Sequence, residues 1–288
     1  MKTTSIKAVL TFFALSLVFC GEKAPRFGPA NGSLVIVGGG ASTEIREKFI
    51  ELAGGNDAPI VIVPTAGGQE TYADSAVISS WERMGCTSVT MLHTTDRAEA
   101  DTEEFISNLR AAAGVWFNGG RQWRLVDAYM NTLTYYEFHK VLERGGVIGG
   151  SSAGATIQGS FLARGAESGN TLMIAPIPEH RGGFGFLKNS AIDQHIDARN
   201  RWKDLYEIIL EFPELLGIGI SERTAIVVRG DVFEVIGVSQ VAIHDAARTR
   251  TFTDVDTVFY YTLNPGDRYD IKNRTVTYRA PQDSTAHE

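Results

Sequence analysis

The stretch Val147-Ile148-Gly149-Gly150-Ser151-Ser152-Ala153-Gly154-Ala155-Thr156-Ile157 decides how this chain is read. Its first residues form a short apolar run of the kind buried in a sheet, and its last ones suit a helix. Between them, Gly150-Ser151-Ser152-Ala153-Gly154 fits G-x-S-x-G, a sharp strand-to-helix turn that lifts a serine hydroxyl clear of the fold. Strain at such a turn leaves no room for bulk on either side, which accounts for the small flanking residues. Ser152 is therefore the candidate nucleophile, set against the alternative of a glycine-rich turn with no chemistry.

Four more apolar runs of the same kind precede this one: Leu34-Val35-Ile36-Val37, Ile60-Val61-Ile62-Val63, Ser88-Val89-Thr90-Met91 and Gly114-Val115-Trp116-Phe117. They are continuous rather than alternating, which implies strands buried on both faces, as in a mostly parallel sheet covered by helices. The segments between them predict helices over Thr43–Ala53, 71–84, 101–112 and 135–144. Right-handed crossovers then bring the carboxyl ends of the strands, and any active site, to one edge.

Glycine-rich turns follow several of these strands. Gly38-Gly39-Gly40 invites a dinucleotide reading, but Thr43 stands where G-x-G-x-x-G needs its last glycine. The turns fit better with backbone that must approach a small bound group, and Gly119 or Gly120 could aim an N–H at it.

A serine nucleophile needs a base, and the base needs a carboxylate to fix its tautomer. Of the six histidines, His195 is the candidate base because it lies in the dense polar run Asp193-Gln194-His195-Ile196-Asp197-Ala198-Arg199-Asn200-Arg201. Glu167, within Arg164-Gly165-Ala166-Glu167-Ser168-Gly169-Asn170, is the candidate acid, with Glu179 and Asp197 as alternatives. No His/Cys cluster has metal-ligand spacing, so neither metal nor cofactor is expected.

The N-terminus reads as an export signal. Lys2 and Lys7 precede an apolar run from Ala8 to Phe19, too short to span a bilayer, and Cys20 follows directly. Cys20 is placed for acylation as a lipid anchor, yet Phe19 stands where a lipobox has a small residue, so plain secretion is the alternative. Residues 1–20 are thus expected to be a signal, 21–31 a linker, and 32–288 one domain, giving a periplasmic, outer-membrane-anchored or extracellular protein. Cys86 then has no disulfide partner and is expected to be a buried core thiol. With 34 acidic against 27 basic residues, the formal charge is −7, which argues against a nucleic-acid partner.

From Gly217 the runs become short and β-type, broken by Gly and Asp, and predict hairpins that extend the sheet with an antiparallel edge. Phe259-Tyr260-Tyr261 and Thr275-Val276-Thr277-Tyr278 are expected to pair around Asn264-Pro265-Gly266-Asp267.

Three motifs in order, Asn118-Gly119-Gly120-Arg121-Gln122, Gly150-Ser151-Ser152-Ala153-Gly154-Ala155 and Asp193-Gln194-His195, resemble the cyanophycinases, in the serine peptidase family that also contains dipeptidase E. The resemblance runs from Gly32 to Asp245. It implies a three-layer α/β/α sandwich, flavodoxin-like or class I glutamine-amidotransferase-like, and a homodimer. It also implies Ser152 as nucleophile, His195 as base and Glu167 as acid, with the N–H groups of Gly120 and Ala153 forming the oxyanion hole. Gln122, Asp193, Gln194, Arg199 and Arg201 would line the pocket for a peptide substrate with a β-aspartyl linkage. The sequence departs from the pattern at Asp204, where the family has a third arginine, so cyanophycin itself is an open question. The readings kept beside a β-aspartyl exopeptidase are an α-aspartyl dipeptidase of the same fold and a non-catalytic surface lipoprotein.

Overall fold

A computed structural model describes residues 27–167, 172–249 and 260–281. The export signal with Cys20, together with Ser168, Gly169, Asn170 and Phe259, lies outside the described residues.

The five apolar runs form β1 (Ser33–Val37), β2 (Ile60–Val63), β3 (Val89–Met91), β4 (Gly114–Phe117) and β5 (Val147–Ser151). They lie parallel in the order β1-β5-β4-β2-β3. Their sequences are continuous in apolar residues because each face meets its own core: Leu34 and Ile36 enter one, Val35 and Val37 the other. Between the strands run α1 (Thr43–Ala53), α2 (Asp74–Glu82), α3 (Arg97–Ala100), α4 (Ser107–Ala111), α5 (Gln122–Tyr129) and α6 (Leu133–Glu143). α1 and α2 cover one face through Phe49 and Trp81, whereas α4, α5 and α6 cover the other through Leu109, Leu125 and Phe138. The result is the expected three-layer α/β/α arrangement.

Local chemistry sets the ends of these helices. α1 starts where the Ser42 hydroxyl accepts from the Ile45 N–H and stops at Gly54, which adopts φ 109°. Of the helix expected over 101–112 only α4 forms, and α3 lies just ahead of that span. Asp96 caps α3 by accepting from Ala98 N–H, and the Thr102 hydroxyl donates to the Glu99 carbonyl while accepting from Phe105 N–H. Such side-chain bonds compete with helical pairing and close the first helix early.

The second half of the chain builds two structures at once. After β5 come α7 (Ala153–Thr156), β6 (Gly159–Phe161), β7 (Leu187–Gln194), α8 (Leu205–Glu211), β8 (Leu216–Ile220), β9 (Thr224–Arg229), β10 (Val232–Gly237), β11 (Val241–Asp245) and α9 (Ala246–Thr249). They are followed by β12 (Tyr261–Leu263), β13 (Arg268–Asp270) and β14 (Thr275–Tyr278). β9, β10, β13 and β14 extend the first sheet with antiparallel strands to nine, as expected for an antiparallel edge. A second, five-stranded sheet runs β12-β11-β8-β7-β6. The expected hairpin of 259–261 with 275–278 is therefore corrected: β12 pairs with β11 in the second sheet, and β14 pairs with β13 in the first. Asp267 directs this separation, since its carboxylate accepts from the N–H groups of Asn264 and Ala280 and pairs with Arg279 at 2.6 Å.

The described part of the expected linker is packed down. Asp231 Oδ1 accepts from Phe27 N–H at 2.7 Å, Lys188 N–H donates to Phe27 O at 2.7 Å, and the Phe27 side chain joins the core. Cys86 is buried, at 4% exposure.

Candidate active site

The two sheets meet at the carboxyl ends of β1, β5, β7 and β8, and that junction assembles the site. Ser152 follows β5 and opens α7 with φ 59° and ψ −114°, a strained conformation for a residue with a side chain. Its N–H donates to Val37 O at 3.1 Å, fixing the turn against the end of β1. His195 follows β7 with φ 56°, and its N–H donates to Gly38 O at 3.0 Å. These two anchors bring His195 Nε2 to 2.8 Å from Ser152 Oγ, so the nucleophile and base candidates from the sequence lie within hydrogen-bond reach.

The third member differs from expectation. His195 Nδ1 lies 2.7 Å from Oε1 of Glu222, in the turn between β8 and β9. Glu167 is elsewhere: its carboxylate is 60% exposed and stands 4.0 Å from Nδ1 of a different imidazole, His180. The expectation that Glu167 orients His195 is corrected by this geometry. Asp197, an alternative acid, has a supporting place instead, where Oδ1 accepts from Glu222 N–H at 2.9 Å and from Ala198 N–H at 2.8 Å. Glu179 lies in the 3-10 turn Pro178–Arg181.

The glycine turn after β1 now has a physical explanation. A Cβ on Gly39 would stand 2.3 Å from Nδ1 and Cε1 of His195, so the backbone passes close to the protein's own imidazole rather than a bound group. Gly39→Ala is expected to displace that ring. A displacement of about 1 Å can cost roughly 100-fold in turnover, so kcat should fall by about that factor while circular dichroism stays unchanged. Unaltered kcat would show that the ring position is uncritical.

Burial pushes the His195 imidazole below its ordinary range, and the nearby Arg199 and Arg201 charges act in the same direction, while the Glu222 hydrogen bond and charge oppose them. A neutral ring can take a proton from Ser152.

The backbone expected to hold an oxyanion is near. A Cβ on Gly119 would lie 3.7 Å from Ser152 Oγ, so this loop runs beside the hydroxyl. Gly120 has φ 144°, and a Cβ there would meet Ala66 O at 2.0 Å. Ala66 O also accepts from Arg121 N–H at 2.7 Å and from Arg124 Nη1 at 3.2 Å, which clamps the loop. The N–H of Ala153 occupies the first position of α7, where no intrahelical acceptor exists.

A cavity of about 260 Å³ opens at Ser152, lined by Gly120, Arg121, Gln122, Ser152, Arg164, Gln194 and Arg199. Gln122, Gln194 and Arg199 are thus where the sequence reading put them, at a pocket wall. Gln122 Nε2 donates to the carbonyls of Ala163 and Arg164 at 2.7 and 2.8 Å, fastening the loop after β6.

Asp193 and Arg201 stand behind the wall. Asp193 has no exposed surface, and Arg164 grips it in a two-pronged pair at 3.0 and 3.1 Å, with Arg201 Nη1 at 3.9 Å. Arg164 Nη2 also binds Asp204. Asp204, which stands where the resemblance has a third arginine, is therefore an internal partner of Arg164. Burial lowers the basicity of Arg164, but the bonds and charges of the two aspartates outweigh it and hold the guanidinium above its ordinary value. Arg121 and Arg164 line the pocket without having been singled out from the sequence. Among the described residues no group of three or more His, Cys, Asp or Glu could hold a metal ion.

The chain is similar to known peptidases over most of its length. The model of "Peptidase family S51" matches residues 34–236. The cyanophycinase of Geminocystis herdmanii is 29% identical over 257 residues, covering 83% of this chain and 94% of that protein. The cyanophycinase of Nostoc sp. is 30% identical over 265 residues, covering 86% and 88%. The crystal structure of a peptidase from an acI-B1 Actinobacterium superposes with a TM-score of 0.63 at 25% identity, covering 84% of this chain and 98% of that one. A putative peptidase E protein from Listeria monocytogenes, 19% identical with a TM-score of 0.52 and covering 73% and 100%, shares the fold.

Proposed function

Because the chain belongs to peptidase family S51 and is a serine peptidase, we propose that it hydrolyses aspartyl amides, β-linked ones first, through Ser152, His195 and Glu222. The observation that carries this reading is the unbroken series of contacts, Glu222 Oε1 to His195 Nδ1 at 2.7 Å and His195 Nε2 to Ser152 Oγ at 2.8 Å, at the wall of an arginine-lined cavity.

In this mechanism Ser152 Oγ attacks the amide carbonyl carbon as His195 Nε2 takes the hydroxyl proton. Glu222 accepts the Nδ1–H and steadies the imidazolium. The carbonyl oxygen, now an oxyanion, is received by the N–H groups of Gly120 and Ala153. The C–N bond then breaks as His195 returns the proton to the leaving nitrogen. Water, deprotonated by the same imidazole, attacks the acyl-serine and releases the acid. Arg199 would pair with the free carboxylate of the aspartyl residue, a task suited to a planar guanidinium fork.

The β-aspartyl preference draws on the cyanophycinase relatives. The second reading, an α-aspartyl dipeptidase, is favoured by Asp204, whose carboxylate stands where the resemblance calls for a third arginine. Hydrolysis of β-Asp-Arg and α-Asp-Leu by purified protein separates them. A kcat/KM about tenfold or more higher for β-Asp-Arg is expected, the reverse order would support the second reading, and no cleavage of either would overturn both.

A further inference from the structure

Gly120 stands just ahead of α5, so the direction of its N–H depends on where that helix begins. The beginning of α5 rests on the 3-10 turn Thr65–Gly67 that follows β2. Arg121 N–H donates to Ala66 O at 2.7 Å, and Arg124 Nη1 donates to Gly67 O at 2.9 Å and to Ala66 O at 3.2 Å. The fit is close, since a Cβ on Gly120 would stand 2.0 Å from Ala66 O and one on Gly68 2.0 Å from Arg124 Nη1. Hydrogen bonds weaken steeply off-axis, so a carbonyl that accepts from two donors of one helix start fixes it in direction as well as distance.

The far end of α5 reaches the same turn. Thr65 is fully buried, and its Oγ1 lies 2.6 Å from Tyr129 Oη and 2.8 Å from His93 Nδ1. The direction of every proton in this chain follows from its ends. His93 Nε2 faces the carbonyls of Gln69 and Glu70 at 3.1 and 3.2 Å, which only accept, so the neutral ring carries its proton there and Nδ1 is an acceptor. Thr65 therefore donates to Nδ1 and accepts from Tyr129, whose oxygen in turn accepts from Thr94 N–H at 3.3 Å. Burial pushes the Tyr129 phenol up to about 12, which keeps that donor protonated. Thr65 is the middle of the chain, and its loss would leave buried groups unmet on both sides.

We propose that Thr65 and Arg124 are positioning residues for the oxyanion hole: they hold the turn at 65–68 to the two ends of α5, and the turn sets the Gly120 N–H against Ser152. The inference rests on the peptidase reading for what that N–H receives, while the clamp belongs to the fold. Neither Thr65 nor Arg124 is among the residues lining the cavity at Ser152, so their effect reaches the reaction only through the loop. An oxyanion exists only once Ser152 has attacked, so misplacing its donor lowers kcat and spares KM.

Arg124→Met keeps an unbranched stem beside the Trp123 ring and removes the guanidinium bonds to the turn. Thr65→Val keeps the side chain's shape and removes its hydroxyl. With the dipeptide that the wild type cleaves, each variant should lose about 10- to 100-fold in kcat, the scale of an ångström's misplacement, with KM within about threefold. Thr65→Ser should recover most of the loss seen in Thr65→Val. Each assignment stands or falls with its own variant: a kcat within about threefold of wild type in the folded protein, or a loss carried by KM, overturns it. A loss that Thr65→Ser does not recover overturns the role of the Thr65 hydroxyl. Hydrogen exchange reads the clamp without turnover. The Arg121 amide, bonded to Ala66 O, should exchange about tenfold or more faster in both variants, while the amides of β4 keep their wild-type rates. Unchanged exchange at Arg121 overturns the clamp. Faster exchange there, in variants of a protein that cleaves neither dipeptide even as wild type, would instead sink the peptidase reading and leave the clamp standing. Should Thr65→Val fail to fold, Arg124→Met, at a half-buried position, decides the clamp by the same measurements.

Discussion

Ser152→Ala is expected to lower kcat by about 10⁵- to 10⁶-fold, the scale on which removing the nucleophile of a serine hydrolase acts, while leaving the fold in place. The hydroxyl's hydrogen bond in the structure is to His195, and the backbone N–H that pins the turn to Val37 O is untouched by the change. The variant should melt within a few degrees of the wild type, since no core volume is lost. A serine-reactive phosphonate should label one residue of the wild-type chain, Ser152, and leave Ser151 at the end of β5 unmodified. The adduct can be located by peptide mass spectrometry. Full activity in purified Ser152→Ala would remove the nucleophile assignment, and a wild-type protein that never labels would favour a non-catalytic binding protein.

The parallel half of the fold and two members of the site were readable in advance because their causes are local. Strands buried on both faces must be apolar at every position, so β1 to β5 stand out as runs. Ser152 is announced by the small residues its strained turn requires, and His195 by the polar run around it. Glu222 has no such local cause. It lies 27 residues beyond its histidine in Ser221-Glu222-Arg223, which reads as an ordinary surface turn between two apolar runs. Its partnership exists only because the chain leaves the second sheet after β8 and enters the first at β9, passing His195 on the way. The same reason hid the second sheet itself: a short β-type run shows that it is a strand, but its sheet is fixed by long-range pairing. Arg164 was passed over for a similar reason, since a single arginine after a strand shows nothing until Asp193 and Asp204 are seen on either side of it.

The largest contrast among carboxylates should come from Glu222→Gln beside Glu167→Gln. Removing the charge that holds His195 costs about 10³- to 10⁴-fold in kcat in serine hydrolases of this design, and Glu222→Gln should fall in that range. Glu167→Gln should stay within about threefold, an effect too small for a triad member, because its carboxylate faces His180 and solvent. The pH profiles sharpen the comparison. His195 must be neutral to accept the Ser152 proton, so activity is lost as pH falls through its pKa. Burial and the neighbouring arginines already depress that pKa, so the acid limb of wild-type kcat/KM should lie below the ordinary histidine value of about 6.5. Glu222 opposes the depression through its hydrogen bond and its charge. Its replacement by glutamine removes both, so the limb of Glu222→Gln should move to still lower pH, while that of Glu167→Gln should overlay the wild type. A limb that moved in Glu167→Gln and stayed fixed in Glu222→Gln would return the acid's role to Glu167.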